Sequence, residues 1–138
     1  MALTWMLVED EPDLYEILST LLELWGHDVV AFETGEDAVG WLHEVVQGMH
    51  GDDLPELALI DIRLPGQFDG IEICKHIRGN RLLWHIPLIL TTAFTLSDTQ
   101  KAQIMADTQA DLLLYKPLPN ASQFHKLLDD VIARKRVS

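Results

Sequence analysis

The sequence predicts an α/β protein with a doubly wound (βα)5 architecture, in which helices cover both faces of a five-stranded parallel sheet. Two observations lead to this prediction: five short apolar runs alternate with five helical patterns, and each run is nearly continuous. Continuous apolar runs are typical of parallel strands buried on both faces. Crossovers between such strands are right-handed, and ligands bind outside the carboxyl ends of the strands.

The apolar runs define the predicted strands in chain order, at residues 5–8, 29–32, 57–60, 88–90 and 112–115. A helix is predicted after the first strand, because the apolar residues from Leu14 to Trp25 recur at helical spacing. Pro12 suits the first turn of this helix, and Gly26 is placed to end it. The first βα unit is therefore expected to finish near residue 26.

The second and third helices are predicted from similar signals. Thr34 with Asp37 resembles a capping box, and residues 38–49 repeat the helical spacing of apolar residues. Residues 48–56 then form a polar loop that contains glycine, the longest candidate insertion. The third helix is expected from about residue 69 to residue 78, after the third strand.

The fourth and fifth helices complete the repeat. The fourth is expected to begin at Ser97 with Gln100 as its capping partner, although few of its residues are apolar. The fifth has an apolar stripe between Phe124 and Ile132. A chain of 138 residues with 48% hydrophobic and 23% charged residues fits one domain with a single core.

Composition excludes several classes of function. The formal net charge of −12 argues against nucleic-acid binding, which depends on neutralising phosphates with Lys and Arg. A single cysteine, Cys74, rules out a disulfide framework and a cysteine-rich zinc site, and the six histidines lack metal-ligand spacing. The apolar start lacks a basic region, and no apolar stretch is long enough to cross a membrane. We therefore expect a cytoplasmic protein.

Polar residues collect where the predicted strands end. Glu9, Asp10 and Glu11 follow the first strand, in the segment VEDEP, and Asp61 follows the third. Thr91 and Thr92 follow the fourth strand, and Lys116 follows the fifth. Two like charges about 4 Å apart repel by roughly 1 kcal/mol in water and by about 4 kcal/mol near a protein surface. Adjacent carboxylates at one sheet edge therefore require a positive partner.

These residue types indicate phosphoryl chemistry. A carboxylate cluster with too few cations is a hard-oxygen site that Mg²⁺ neutralises while keeping several of its waters. A separate carboxylate is able to act as a nucleophile toward phosphorus. A lysine and a hydroxyl hold phosphoryl oxygens as charge shifts in the transition state.

The motifs at these strand ends resemble the receiver domains of two-component response regulators. The matching segments are VEDEP, LALIDIRLPG, LILTTAF and YKP, in the order of the family and each at a strand end. The resemblance covers roughly residues 3–135. It implies a flavodoxin-like strand order of 2-1-3-4-5 and one receiver domain at residues 1–138.

The resemblance also implies a role for each site residue. Asp61 would accept a phosphoryl group from a histidine kinase or a histidine phosphotransfer protein, and Thr92 and Lys116 would hold the phosphoryl oxygens. The only reactions of the domain itself would be the phosphorylation and dephosphorylation of this aspartate. Lys116 would also be the distant positive partner of the carboxylates, and the family bond that matches Lys116–Pro117 is commonly cis.

The metal expected from the resemblance is Mg²⁺. Asp10 and Asp61 would bind it directly together with the backbone carbonyl of Arg63, and Glu9 would act mainly through water. Glu11 is expected just outside the site. The guanidinium of Arg63 is predicted to reach Glu9, Glu11 or a phosphoryl oxygen, because the local field is strongly acidic.

Several positions depart from the family pattern. The loop PGQFDG after Asp61 is one residue longer than usual, and the segment from residue 92 to residue 116 is also long. Leu113 stands where the family usually has the Tyr or Phe that moves on activation. Tyr115 is the nearest aromatic residue on the same strand face, toward the fourth and fifth helices, and is either a substitute switch or a core ring with a bonded hydroxyl. Arg63 and Phe94 occupy positions that in the family tune phosphoryl lifetime.

Two other functions are compatible with parts of this pattern. A Mg²⁺-dependent aspartyl phosphatase of the haloacid dehalogenase type wants an Asp two residues after its nucleophile, where this chain has Arg63. A receiver-like module that binds partners without phosphorylation would fit Leu113. A receiver that stands alone would give its output by contact with an unknown protein, unless the chain is a fragment.

Overall fold

The computed structural model describes residues 3–137, and residues 1, 2 and 138 of the predicted domain lie outside that range. Strands and helices alternate through the whole described chain. In order they are β1 (Thr4–Val8), α1 (Pro12–Leu24), β2 (Asp28–Phe32), α2 (Gly35–Val46), β3 (Leu57–Asp61), α3 (Gly70–Arg78), β4 (Leu88–Thr92), α4 (Asp98–Thr108), β5 (Leu112–Tyr115) and α5 (Ala121–Val137). None of the helices described is long and apolar enough to cross a membrane.

The strands form one parallel sheet in the order β2-β1-β3-β4-β5, which confirms the predicted flavodoxin-like topology. β1 and β3 are neighbours, although α1, β2 and α2 separate them in sequence. The direction of winding reverses between them, so the carboxyl ends of these two strands border the crevice where doubly wound sheets bind ligands.

The core lies in two layers, one on each face of the sheet. Met6 and Val8 of β1 pack toward α2, α3 and α4, whereas Trp5 and Leu7 pack toward α1 and α5. All five residues of β1, β3 and β4 are buried, which accounts for their continuous apolar runs. Cys74 is buried on α3, whereas Trp84 lies exposed in the loop before β4.

Capping residues set the helix starts that position the site. Ser97 and Gln100 form the predicted capping box at α4, with hydrogen bonds in both directions. At α2 the Thr34 hydroxyl accepts the Asp37 N–H, but no bond returns from the Asp37 side chain, so that prediction was only half right. The aspartate side chain is one methylene shorter than the Glu or Gln of a capping box.

Candidate functional site

Three carboxylates meet at the carboxyl ends of β1 and β3. Glu9 and Asp10 directly follow β1, and Asp61 is the last residue of β3. Each of them places a carboxylate oxygen within 4.8 Å of the others, and Glu9 and Asp61 are buried. The parallel pairing of β1 with β3 brings them together across 51 positions of sequence, as the strand-end argument predicts.

Lys116 is the cation of this cluster. Its Nζ lies 2.8 Å from Glu9 Oε1 and 3.1 Å from Asp61 Oδ2. The Lys116–Pro117 bond that follows is cis, as predicted. One ammonium thus faces three carboxylates, so the predicted positive partner is present but leaves the cluster negative.

The surroundings shift the pKa of both groups that share this contact. Burial, followed by repulsion from Glu9, raises the pKa of Asp61 from 3.8 to about 6, although Lys116 opposes the shift. Burial lowers the pKa of Lys116, but its bonds to Glu9 and Asp61 outweigh that effect and raise the pKa overall. The ammonium therefore stays charged, and the aspartate is strained electrostatically when it ionises.

The two threonines that end β4 are both buried at the same edge. Thr91 pairs in register with Asp61, whereas Thr92 is one residue further along and pairs with Tyr115. The Thr92 hydroxyl accepts the N–H of Phe94 at 3.1 Å, and its carbonyl accepts the N–H of Lys116. Thr92 thus sits beside the lysine, but within the described residues its hydroxyl makes no hydrogen bond to Asp61.

The Arg63 side chain makes neither of the two carboxylate contacts expected of it, with Glu9 or with Glu11. Its backbone N–H donates to Asp61 Oδ1 at 3.3 Å, but within residues 3–137 its guanidinium pairs with neither Glu9 nor Glu11. It lies instead over the ring of Phe94, 4.1 Å from the ring centroid. The flat face of an exposed aromatic ring attracts a guanidinium at low desolvation cost, because both groups stay in contact with water.

β5 places its alternate side chains as its period predicts. Leu113 is buried in the core layer that also contains residues of α3 and α4. Tyr115 is 41% exposed, and no described residue forms a hydrogen bond with its hydroxyl. The interpretation of Tyr115 as a packed core ring with a bonded hydroxyl was therefore wrong, because β5 is an edge strand and ends at this residue.

The donor set of the cluster fits a hard divalent cation. Three carboxylates with a single lysine offer oxygen ligands and a residual negative charge, which suit Mg²⁺. Glu11 lies outside this set as predicted: it is the exposed N-cap residue of α1, and its N–H donates to Glu9 Oε2 at 3.2 Å.

Sequence reasoning missed Glu36, in the first turn of α2. Its Oε1 accepts the backbone N–H groups of Gln67, at 2.7 Å, and of Phe68, at 3.2 Å. Both residues belong to the long PGQFDG loop after β3. The available signal was the extra loop residue itself, since additional backbone donors at a turn need acceptors from elsewhere.

Comparisons with known proteins agree with this architecture and site. The sequence model of the response regulator receiver domain matches residues 6–129. This chain belongs to the response regulator receiver domain family. Receiver domains are signalling modules of two-component systems. They bind Mg²⁺ at an acidic pocket, and this chain has an acidic cluster formed by Glu9, Asp10 and Asp61.

Individual relatives of this receiver domain differ in overall length. It is 30% identical over 112 residues to the DNA-binding response regulator MtrA of Mycolicibacterium smegmatis, across 81% of this chain and 43% of MtrA. It is 29% identical over 96 residues to the polar-differentiation response regulator DivK of Brucella ovis, across 70% of this chain and 71% of DivK. The chain thus spans less than half the length of the DNA-binding relative.

A solved structure supports the same fold. The signal receiver domain of a modulated diguanylate cyclase from Desulfovibrio desulfuricans G20 superposes with a TM-score of 0.76 at 26% identity. The match covers 99% of this chain and 98% of that domain. The (βα)5 architecture is therefore that of a receiver domain from end to end of the described sheet.

Proposed function

We propose that this receiver domain takes a phosphoryl group on Asp61 from a histidine kinase or a histidine phosphotransfer protein, and signals by contact with an output protein. The observation that supports this is the arrangement of Asp61: a buried carboxylate beside two others and one lysine, at the open edge of the sheet. Buried charges are generally paired or coordinate a metal, whereas this cluster keeps a negative excess.

Asp10 and Asp61, together with the carbonyl of Arg63, would hold Mg²⁺ directly, and Glu9 would hold it through water. The ion would supply positive charge near the phosphoryl oxygens. Lys116 pairs with the phosphoryl group, and the Thr92 hydroxyl turns from the N–H of Phe94 toward a phosphoryl oxygen. Each of these roles is assigned to a residue at or just after the end of a strand, where the sheet holds the backbone rigidly.

In the transfer step a carboxylate oxygen of Asp61 forms a bond to phosphorus while the bond from phosphorus to its donor breaks. The electron pair of that bond leaves with the imidazole nitrogen of the histidine donor, or with the carboxylate oxygen of acetyl phosphate. The carboxylate must be ionised to attack. Burial and repulsion from Glu9 raise the pKa of Asp61, and a cation held in the cluster would lower it, which would favour the ionised form that attacks.

The domain is proposed to act as one receiver unit over residues 1–138, in the cytoplasm, with no nucleic acid as a direct partner. Its net charge of −12 disfavours contact with the phosphate backbone of a nucleic acid. An aspartyl phosphatase activity is disfavoured by Arg63, because its guanidinium lies on Phe94 and cannot be deprotonated near neutral pH, so it cannot act as the general acid and base.

Acetyl phosphate with Mg²⁺ tests the phosphoacceptor assignment directly. We expect intact-mass spectrometry to show the gain of one phosphoryl group in the wild type and in Asp130→Asn, an exposed control on α5. Asp61→Asn should not be labelled. Labelling of Asp61→Asn at the wild-type rate would contradict the assignment, and a wild type that is never labelled would favour the phosphorylation-independent module that Leu113 suggests.

A further inference from the structure

The loop that follows the phosphoacceptor strand is fastened to α2. Glu36 Oε1 accepts two backbone N–H groups at the tip of this loop, from Gln67 and Phe68. These bonds, first from Phe68 and then from Gln67, lower the pKa of Glu36, so the carboxylate remains ionised and accepts them as charge-assisted bonds. We call this contact between Glu36 and the tip of the loop the α2 latch.

Two glycines make the latch possible. A Cβ on Gly35, the first residue of α2, would collide with the carbonyl of Phe68, so the loop backbone lies directly against the helix backbone. Gly66 has a φ of +93°, and a Cβ there would lie 2.5 Å from Glu36 Oε1. A side chain at Gly35 would push the loop backbone away from the helix, whereas one at Gly66 would displace the Glu36 carboxylate and strain the left-handed backbone.

The other end of the same loop reaches the phosphoacceptor. Arg63, its first residue after Ile62, donates its N–H to Asp61 Oδ1 at 3.3 Å. The base of the loop is closed by the bond from Gly70 N–H to the Ile62 carbonyl, at 2.9 Å. The segment between Arg63 and Asp69 is therefore held at its base by β3 and α3, and at its tip by the bonds to α2 and by the Phe68 ring, which packs edge-on against His76 of α3.

We propose that Glu36 is a positioning residue for Asp61: by holding the tip of the loop it fixes the Arg63 backbone, and thereby the affinity of the acidic cluster for Mg²⁺. The inference rests on the proposed function, because it assigns the Arg63 carbonyl and Asp61 to one metal site. It also couples that site to α2 through backbone bonds, a route that does not pass through β4, β5 or the missing aromatic at Leu113.

The test is a set of Mg²⁺ titrations by isothermal calorimetry on three variants and the wild type. Glu36→Ala removes the acceptor, and we expect the Kd for Mg²⁺ to rise about three- to tenfold, below the usual loss for a group that orients metal ligands because Glu36 is exposed. Glu36→Gln keeps a carbonyl oxygen that accepts both N–H groups, and its Kd should stay within about twofold of the wild type.

Asp37→Ala is the matched control. It removes the same charge from the same exposed helical turn, but within the described residues its side chain makes no hydrogen bond or ion pair with the loop. We expect a Kd within about twofold of the wild type, which separates loop positioning from the loss of one negative charge near the site. Equal weakening in Glu36→Ala and Asp37→Ala would overturn the inference, as would wild-type affinity in a folded Glu36→Ala.

Hydrogen exchange on the unmodified protein tests the same coupling without a variant. Because coupling between two sites is reciprocal, Mg²⁺ should slow exchange of the Gln67 and Phe68 amides, by the same three- to tenfold factor at saturation. Unchanged exchange at these amides in a protein that binds Mg²⁺ would overturn this inference but leave the proposed function standing. A wild type that does not bind Mg²⁺ at all would overturn the proposed function and this inference with it.

Discussion

The acidic residues at the two ends of the parallel strands have opposite surroundings. We call the side of the sheet where the strands begin the amino edge, and the side where they end the carboxyl edge. At the amino edge, Asp111 accepts ion pairs from Arg78 and Lys135, at 3.2 and 3.0 Å, and also the N–H of Leu88. At the carboxyl edge, Glu9 and Asp61 share one lysine. An acid that serves the fold is surrounded by donors, whereas the carboxyl edge keeps a charge deficit that a cation is able to fill.

The largest effect is expected at the amino edge, where Arg78 ties three segments together. Its guanidinium donates to the carbonyls of Trp84, Ile86 and Gln109 as well as to Asp111. We expect Arg78→Ala to lower the free energy of unfolding by about 3 kcal/mol in urea denaturation, because it removes the donor shared by three carbonyls and one of the two cations that pair with Asp111.

Arg81→Ala is the control for this prediction. The guanidinium of Arg81 is exposed and, among residues 3–137, donates only to the Val46 carbonyl, at 3.1 Å, so its removal should cost less than about 1 kcal/mol. Mg²⁺ affinity should be unchanged in both variants. Equal losses of stability in Arg78→Ala and Arg81→Ala would remove the structural role that we assign to the amino edge.

At the carboxyl edge, without Mg²⁺, we expect the loss of a charged side chain to raise the free energy of unfolding rather than to lower it. The pKa of Asp61 is about 6 in the folded protein against an ordinary value of 3.8, so folding binds a proton between these values and stability falls as pH rises through them. Asp61→Asn removes the penalty. In the presence of a chelator it should be more stable than the wild type by about 1–3 kcal/mol at pH 7, and equally stable below about pH 4.

Urea denaturation between pH 4 and pH 7.5 measures this difference. Asp130→Asn, on the exposed face of α5, should follow the wild type at every pH. A stability gap between Asp61→Asn and the wild type that stayed constant with pH would mean that the ionised carboxylate carries no folding penalty.

How much of this site was predictable from the sequence depends on the kind of contact. Glu9, Asp10, Asp61 and Lys116 were predictable because parallel strands end at one edge, so residues after each apolar run must converge. The position of Leu113 followed from the period of a strand. The doubly wound sheet with helices on both faces followed from the βα repeat, whereas the strand order was expected from the family resemblance.

Contacts made by loops were not predictable in the same way. The Arg63 side chain was expected on Glu9, Glu11 or a phosphoryl oxygen; it lies on Phe94 rather than on either acid, since two exposed loops set that geometry and no period constrains them. Glu36 was missed because it binds backbone N–H groups, which leave no trace in residue type. The exposure of Tyr115 depends on β5 being an edge strand that ends there.

The contact between Arg63 and Phe94 joins the loops after β3 and β4. Its removal is expected to have a smaller effect, on the lifetime of the phosphorylated state. Removing either side chain should shorten the lifetime of the phosphorylated state about two- to tenfold, because water gains access to Asp61. The stability of an exposed cation–π pair is about 0.5–1 kcal/mol, so unfolding should change by no more than that.

Intact-mass measurements of the decay of the labelled protein follow this lifetime in Arg63→Ala and Phe94→Ala. Lys75→Ala, an exposed cation on α3, is the control and should leave the lifetime unchanged. If Arg63→Ala unfolded the protein but left the lifetime untouched, Arg63 would be a scaffold residue instead.

The smallest expected effect is the movement of one ring. Under the switch hypothesis, a phosphoryl mimic draws Thr92 toward Asp61, and Tyr115, now exposed, turns inward into the space that opens. Structures with and without beryllium fluoride would show the change of rotamer. If Tyr115 and the surface of α4, β5 and α5 stay unmoved, output passes by another route, of which the α2 latch is one.

The contrast between the two edges is tested most directly by following backbone amide chemical shifts during one Mg²⁺ titration. We predict saturable shifts at Glu9, Asp10 and Arg63, whose loops hold the uncompensated carboxylates, and none around Glu56 and Asp111, whose charges are already paired. Comparable shifts at both edges, or none at the carboxyl edge, would contradict the account.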